Sequence, residues 1–430
     1  SDSGKPGQDG SGNINASVWD GKSIDLTWFD KDKYDSESSY YIKTPAQLAG
    51  LAALVNGIYN REIDTIAGDS SVIVANEADS GNDNGPNGNN KSTSKYHYGD
   101  YNFAGKTVYL TADIDMTGGN YMPIGGQYLM RKNDYDTKVD ASFCGTLDGQ
   151  GHNVYIDCER RCTTGNYGDG QSVGLVGRLG VHDNDDTSLR PEGASVMNLA
   201  VHGDISANRS VGGVVGKIGK TSDGGTIENC ANFATVKGSD SKGLGGIVGA
   251  GWNGGVIRNC YNAGTITSTY SCPTGGISGS NEIEIENCYN VGKITAAGKD
   301  YAMAIGTNNG MAPLSVIRNC YYLDTSAASG AGYYTNNDSA DLAGHCEKKT
   351  SAQMKSADFL NLLDAGTFAS DASNINDGYP VLKWQASSKA NISTGGGQVA
   401  NDDKVTSEII KADTTVNGSN ATASVKKDDV

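Results

Sequence analysis

The chain has 430 residues, and its 59 glycines against 8 prolines exclude both a helical bundle and a collagen-like rod. Lysine and arginine number 34 against 50 aspartates and glutamates, so the net charge is −16. That balance argues against nucleic acid and against an anionic membrane surface as partners. No apolar run in the sequence approaches the length of a membrane-spanning helix, so we expect no membrane insertion. Many short strands joined by glycine-rich turns fit the composition best.

The N-terminal part of the chain predicts a tail and then a cap. Residues 1–16 are rich in Gly, Ser and Asp and predict a disordered tail. From Tyr41 the pattern indicates a strand and then a short helix, with Thr44 as N-cap and Pro45 at the first helical position. The apolar face of this helix is expected to plug the open end of the fold. Residues 76–95 predict a mobile insertion, and residues 182–192 predict a second one.

The middle of the chain repeats an Ile-x-Asn-Cys motif. Its cysteines are spaced 30, 28 and 32 residues apart, and a Gly-Gly-Ile-Val-Gly-like segment precedes each copy; the cysteines are Cys230, Cys260, Cys288 and Cys320. Units of this length predict a coil of parallel strands in which each repeat climbs one rung. The residues two before each cysteine alternate in sign, which predicts an outward ladder of opposite charges; they are Glu228, Arg258, Glu286 and Arg318.

The predicted fold class is therefore all-β: a right-handed parallel β-helix over residues 17–385 with a short N-terminal helical cap. A helix over residues 350–364 and a closing strand over 379–384 are expected to cap the other edge. Residues 386–404 are interpreted as a linker, and residues 405–430 as the start of a further, truncated module. We expect the chain to be part of a larger multidomain surface protein.

The aromatic residues suggest a binding site. Tyrosine dominates, with 22 copies against 6 phenylalanines and 4 tryptophans. Because the tyrosine after each ladder cysteine should point outward, a ridge of stacked rings is predicted, with a tryptophan in a glycine turn near one edge: Tyr261, Tyr289, Tyr321 and Trp252. Ordinary strand propensity and stacking along a solenoid would explain the same tyrosines without any ligand.

Catalytic and metal sites have little support in the sequence. It contains no metalloprotease, serine-hydrolase or P-loop motif, so we expect a non-catalytic protein without a metal or cofactor. Asp113, Asp115 and the Asp183–Asp186 run leave Ca²⁺ binding or carboxylate catalysis open as a weak alternative, and His152 is interpreted as a turn residue. The ladder cysteines are expected to be buried thiols, while Cys158 and Cys162 are the better candidates for a disulfide.

The motifs resemble a known family. Gly-Gly-Ile-Val-Gly at 245–249 and Ile-Arg-Asn-Cys-Tyr-Asn-Ala-Gly-Thr-Ile at 257–266 are similar to the GLUG-motif repeats of adhesin-like bacterial surface proteins. Thr44-Pro-Ala-Gln-Leu and Gly-Tyr-Pro-Val-Leu-Lys-Trp at 378–384 are similar to segments of the same class, which also occurs beside IgA-protease-type domains. The resemblance implies a parallel β-helix at the surface of a bacterium, often in the gut, or secreted from it. It implies no catalytic residues.

Three functions remain open from the sequence. The leading hypothesis is an extracellular module for adhesion that binds a host glycan or glycoprotein without catalysis. The alternatives are a carbohydrate-active β-helix enzyme (a glycoside hydrolase or polysaccharide lyase), and a structural stalk that presents a neighbouring domain. An enzyme would require two carboxylates converging in a cleft.

Overall fold

The computed structural model describes most of the chain up to residue 390. The described residues are 17–56, 59–60, 65–66, 96–97, 101–132, 135–160, 172–180, 193–219, 225–239, 243–251, 255–281, 283–298, 301–308, 317–333 and 346–390. The sequence predictions for residues 1–16, 76–95, 182–192 and 405–430 lie outside these residues.

The predicted parallel β-helix is confirmed. Strands of successive repeats pair in parallel and in register, and they form one sheet of 17 strands and one of 10. Each complete turn contributes three strands to the large sheet and two to the small one, so the strands stack in five columns.

The first three columns form the large sheet. The first column contains Ser39–Ile42, Thr107–Leu110, Thr226–Glu228, Val256–Arg258, Glu284–Glu286 and Ile317–Arg318. The second contains Ile114–Asp115, Ala231–Asn232, Tyr261–Asn262, Tyr289–Asn290, Cys320–Leu323 and Cys346–Lys349. The third contains Thr235–Gly238, Ile266–Ser268 and Ile294–Thr295, and two long strands pass through all three columns, Thr146–Glu159 and Ser195–Ala207.

The fourth and fifth columns form the small sheet. The fourth contains Ser172–Val173, Ser210–Gly212, Leu244–Gly245 and Thr274–Gly275. The fifth contains Val176–Leu179, Val215–Ile218, Val248–Gly251 and Ser278–Asn281, and two strands pass through both columns, Ala302–Asn308 and Ser329–Tyr333. Three small sheets lie outside the columns. Two are strand pairs: Tyr59–Asn60 with Thr65–Ile66, and Phe368–Ala369 with Val381–Leu382. In the third, Tyr135–Ala141 lies between Gly126–Lys132 and Tyr96–His97.

Two apolar ladders fill the interior of the coil, as the repeat predicts. The isoleucines of the motif are at most 1% exposed, and so are its cysteines: Ile227, Ile257, Ile285, Ile317, Cys230, Cys260, Cys288 and Cys320. The four cysteines are free thiols, and burial raises the pKa of the first three. Cys346 pairs in register with Cys320 and extends the cysteine ladder by one rung. The prediction of buried thiols is confirmed for the motif cysteines.

A buried asparagine ladder joins the two halves of each repeat. The second asparagine of the motif is fully buried at Asn232, Asn262 and Asn290, and the side-chain amides bond along the stack at 2.7 Å. A glycine of the small sheet packs directly against each amide. A Cβ atom on Gly246 would lie 2.4 Å from the Asn262 side chain and 2.2 Å from the Gly276 carbonyl oxygen. No side chain fits between the asparagine ladder and the next rung, so this position requires glycine.

The N-terminal cap agrees with the prediction. Helix α1 spans Pro45–Val55, and the Thr44 side chain accepts a hydrogen bond from the Gln47 backbone N–H. Nearly every residue of α1 is buried, because residues 17–30 cover its outer side. A short 3-10 helix, Lys31–Lys33, follows that covering segment. The apolar helix is thus enclosed between the first rung and the N-terminal segment.

The C-terminal cap differs from the prediction. Residues 350–390, here called the cover, lie along the outer face of the second column instead of over the end of the coil. The expected helix over 350–364 is two short helices, α2 at Ser351–Met354 and α3 at Ala357–Leu362, because Ser356 caps a new helix. Only Val381–Leu382 of the expected closing strand is extended. Helix α4, Lys383–Ala390, follows it and occupies the first residues of the predicted linker.

Candidate functional site

The predicted tyrosine ridge exists but is not exposed. Tyr261 and Tyr289 are stacked with ring centroids 5.0 Å apart and planes 4° from parallel. Both are 0% exposed, and Tyr321 is 6% exposed. The rings do point out of the coil, as predicted, but they pack under the cover in a second apolar cluster. The expectation of an accessible tyrosine strip is therefore wrong, because a non-repeating segment buries it.

The cover holds the tyrosines through polar as well as apolar contacts. The Tyr261 hydroxyl donates to the Gln385 side chain at 2.8 Å, and the Tyr289 hydroxyl donates to the Pro380 carbonyl oxygen. Phe359 lies edge-on to Tyr321 with ring centroids 5.2 Å apart. Desolvation raises the pKa of Tyr261 and Tyr289. These residues are structural in the arrangement observed.

Most of the other predicted site residues lie outside the part of the chain that the structure describes. Trp252, the Asp183–Asp186 run and Cys162 lie outside the described residues. Cys158 is buried at 3% exposure, on the inner side of the coil. Among the residues that the structure describes, no group of three or more His, Cys, Asp or Glu side chains could hold a metal ion.

The structure brings Asp113 and His152 together but leaves Asp115 apart. His152 Nδ1 lies 3.0 Å from Asp113 Oδ1, and the Asn153 backbone N–H donates to the same carboxylate at 2.9 Å. Burial alone would raise the pKa of Asp113, but these hydrogen bonds outweigh it and lower the pKa. Asp115 is buried and accepts hydrogen bonds from Thr117. The contacts of Asp113 tie neighbouring rungs together at a corner of the coil.

A short aromatic row lies beside this corner. His202 is stacked between Tyr155 and Phe233, with ring centroids 4.6 and 4.8 Å away. Burial lowers the pKa of His202 to about 4, against the opposing charge of Asp113, so the imidazole is neutral near pH 7. Because Tyr155 and Phe233 cover both faces of His202, the imidazole offers no flat surface to a ligand.

The strongest candidate site is a groove between the large sheet and the cover. It encloses about 380 Å³ and is open to solvent on one side. One wall comes from the first column and its corner, and the other from the end of α3; the lining residues are Arg258, Asn259, Glu286, Asn287, Asn319, Leu362, Leu363 and Asp364. We call it the outer-wall groove.

Left-handed asparagines form the floor of the outer-wall groove. Asn259, Asn287 and Asn319 have φ values of 55, 52 and 48°, which asparagine tolerates better than most residues and which turn the chain sharply after the first column. Their side-chain amides bond along the stack, with Asn319 Nδ2 donating to Asn287 Oδ1 at 2.9 Å. Asn319 also donates to the Leu362 carbonyl oxygen, and the Asp364 N–H donates to Asn287. The floor therefore fixes the position of the wall.

The charge ladder borders the outer-wall groove and is confirmed. Glu228, Arg258, Glu286 and Arg318 pair in register on successive rungs. Arg258 Nη2 lies 2.9 Å from the Glu228 carboxylate, and Arg318 contacts both Glu284 and Glu286. On the opposite wall, hydrogen bonds from Thr367 and Gly366 lower the pKa of Asp364, so it is ionised. The groove thus presents a guanidinium group, two carboxylates and three amides within one concave surface.

The sequence predicts two of the eight lining residues, Arg258 and Glu286, as members of the outward charge ladder and not as a binding site. It marks the asparagines beside them only as part of the repeat. Their recurrence at the residue before each ladder cysteine is the signal that could have marked them as a stacked polar row. Leu362, Leu363 and Asp364 give no sequence signal, since they reach the groove only through the path of the cover.

The comparisons with known proteins agree with the repeat. Residues 240–267 match the family model of the GLUG motif. The chain contains a GLUG motif. The matched segment includes the paired glycines 245–246, the ladder cysteine and the buried Asn262, so it covers the two packing features that define a rung. The resemblance noted in the sequence is confirmed there.

Beyond the GLUG motif the similarities are weak. No curated protein is significantly similar to this chain. A solved structure of a "putative immunoglobulin A1 protease" from Bacteroides ovatus is 15% identical, with a TM-score of 0.38, and the match covers 80% of this chain and 92% of that one. A TM-score of that size is too low to transfer a site or an activity.

None of the helices in the part of the chain described above is long and apolar enough to cross a membrane.

Proposed function

We propose that this chain is an extracellular surface module that binds a host glycan, without catalysis, in the outer-wall groove. The observation that carries the proposal is the chemistry of the lining, in which amides, carboxylates and a guanidinium surround about 380 Å³ of open space. Amides both donate and accept hydrogen bonds, carboxylates accept them and the guanidinium donates them. This combination suits a ligand covered with hydroxyl groups. The extracellular setting rests on the GLUG resemblance.

An apolar contact in the same groove supports a sugar over a small ion. Leu362 is 45% exposed, and it is one of few large aliphatic side chains open to solvent among the described residues. It stands on the wall opposite the polar floor of the groove. A pyranose ring has hydroxyl groups at its rim and C–H groups on its faces, so it can use both surfaces at once. A simple anion or cation would use only one of them.

The charges around the groove support a ligand without strong charge of its own. Arg258 is already bonded to Glu228, and Arg318 to Glu286, so the guanidinium charges are neutralised within the ladder. Asp364 adds a carboxylate on the facing wall. A neutral glycan can exchange hydrogen bonds with these groups without breaking an ion pair.

A glycan array with the full chain tests the proposal, with Asn259→Gly as the groove variant. Glycine accepts the left-handed backbone of residue 259, so the substitution removes the amide without adding strain. We expect glycan affinity to fall about fivefold, the effect of losing one hydrogen bond. Leu362→Ser is expected to give a similar loss, because it removes the exposed apolar contact.

Asn229→Gly is the matched control. It occupies the same left-handed corner one rung away, and each asparagine makes one amide bond to its neighbour in the stack. Asn229→Gly and Asn259→Gly should therefore lose similar amounts of stability. Only Asn259→Gly and Leu362→Ser should lose glycan binding. An array on which no glycan is retained, or on which both groove variants bind like the parent, would contradict the proposal. Cleavage of a spotted glycan would contradict its non-catalytic part.

A further inference from the structure

A second aromatic feature lies at the first rung of the coil, away from the groove. Tyr41 is 60% exposed, and its ring stacks on Tyr109 with centroids 5.2 Å apart and planes 18° from parallel. The two residues are in register on neighbouring strands of the first column. Among the described strands, Ser39–Ile42 is paired in register only with Thr107–Leu110, so it forms the first rung of this column. Because Tyr109 covers one face of a ring that is still 60% exposed, the opposite face of Tyr41 is largely open to solvent.

The stacking partner makes this ring a fixed platform. A lone exposed tyrosine can adopt several rotamers and loses that freedom when a ligand binds. Tyr109 packs against one face of the Tyr41 ring and thereby restricts its rotamers. A flat ligand on the open face would occupy the place that the next rung would take, at a spacing close to that already present between the two tyrosines.

A lysine stands beside the platform on the same face of the strand. Ser39, Tyr41 and Lys43 alternate with the buried Tyr40 and Ile42, so their side chains share the outer surface. Lys43 is exposed, and none of the ion pairs between described residues includes its ammonium. Its backbone N–H is held by the Gln47 side chain at 2.8 Å, which fixes the strand where it enters α1. A protein with net charge −16 thus presents a cation next to an aromatic face.

We propose that Tyr41 and Lys43 form a second binding site, for a carboxylated sugar residue such as a uronic acid. The apolar face of the pyranose stacks on Tyr41, and the carboxylate pairs with the Lys43 ammonium. The Ser39 hydroxyl, on the other side of Tyr41, is placed to bond a ring hydroxyl. The ligand class rests on the proposed glycan-binding function, but the site is separate from the outer-wall groove and selects an anionic sugar instead of a neutral one.

The test uses two ligands with the same sugar rings, one charged and one uncharged, with the full chain as receptor. Trigalacturonic acid and its fully methyl-esterified form present the same rings, but only the first carries carboxylates. We expect the acid to bind about threefold more tightly than the ester, the effect of one exposed ion pair, and the preference to vanish at high salt. Lys43→Gln should abolish the preference while leaving ester binding unchanged. Tyr41→Ala should weaken both ligands about tenfold.

Matched controls separate this site from general surface effects. Lys237→Gln removes another exposed lysine from the outer wall of the coil, and Tyr270→Ala removes another tyrosine that is 52% exposed. Both should bind like the parent. The proposal is overturned if the parent does not prefer the acid, or if the preference survives in Lys43→Gln. Asn259→Gly tests the groove independently, so either site can fail while the other stands.

Discussion

Replacing Gly246 with alanine is expected to lower the free energy of unfolding by about 3 kcal/mol, the upper range for an overpacked interior. The new Cβ would meet the Gly276 carbonyl oxygen at 2.2 Å and the buried Asn262 side chain at 2.4 Å. A backbone oxygen cannot move aside without disturbing the next rung, and a displaced Asn262 would lose its bond to Asn290. The second of the paired glycines in the GLUG motif is thus a requirement of packing.

Denaturant unfolding of Gly246→Ala beside Gly366→Ala checks this expectation. Gly366 is exposed in the cover, and a Cβ there would meet only the Asp364 side chain, at 3.1 Å. The control substitution is expected to change stability by less than about 1 kcal/mol. Equal stability for the two variants would mean that the glycine pair does not pack against the asparagine ladder as described.

Replacing Tyr289 with alanine is expected to cost about 3–5 kcal/mol of stability, the range for a large aromatic lost from a core. The ring is fully buried between Tyr261 and the cover residues Phe359 and Phe368. Tyr289→Phe keeps the ring but removes the hydroxyl, which donates to Pro380 and accepts from Asn376. The free energy of unfolding of Tyr289→Phe is expected to fall by about 1–2 kcal/mol. The buried Asn376 amide would keep only its longer bond to the Pro380 carbonyl oxygen.

Protease sensitivity reports where the stability is lost. Release of the cover in Tyr289→Ala should expose residues 350–390 to cleavage at protease levels that leave the parent intact. Tyr270→Ala, at a tyrosine that is 52% exposed, serves as the control and should resemble the parent. A Tyr289→Ala protein as stable and as resistant as the control would show that the tyrosine is not part of a packed cluster.

The coil itself could be predicted from the sequence because its contacts follow the repeat. In a parallel β-helix, residues one period apart become neighbours on adjacent rungs. The spacing of Cys230 and Cys260 therefore predicts a contact directly, and the alternating Glu228 and Arg258 confirm its register. Thr44 and Pro45 carry a local helix-start signal that needs no tertiary information.

The burial of the tyrosines could not be predicted because the segment that covers them does not repeat. Outward orientation follows from strand alternation, and it holds for Tyr261 and Tyr289. Whether an outward ring meets solvent depends on where residues 350–390 run. One sequence feature agrees with this burial. In the two preceding rungs the position in register with Tyr261 is alanine, at Ala200 and Ala231. Trp384 of the cover packs against this cluster and donates to the Asn229 carbonyl oxygen.

Only part of the candidate groove could be predicted from the sequence, for the same reason. Its floor belongs to the repeat, because Asn259 and Asn287 occupy the asparagine position of the Ile-x-Asn-Cys motif. Its other wall comes from Leu362 and Asp364, which approach through hydrogen bonds to Asn319 and Asn287. No periodicity links a helix end in the cover to a corner of the coil. A pattern within one repeat can therefore predict a polar row but not the concave site built on it.

Nitration of the folded full chain with tetranitromethane, mapped by mass spectrometry, tests most directly whether the repeat tyrosines are packing residues beneath the cover. Tyr41 and Tyr270, which are 60% and 52% exposed, should be modified readily. Tyr261 and Tyr289, both 0% exposed, should remain unmodified until the protein is denatured. Nitration of Tyr261 and Tyr289 in the folded protein at the rate of Tyr270 would contradict the account and restore the tyrosine row as an accessible surface.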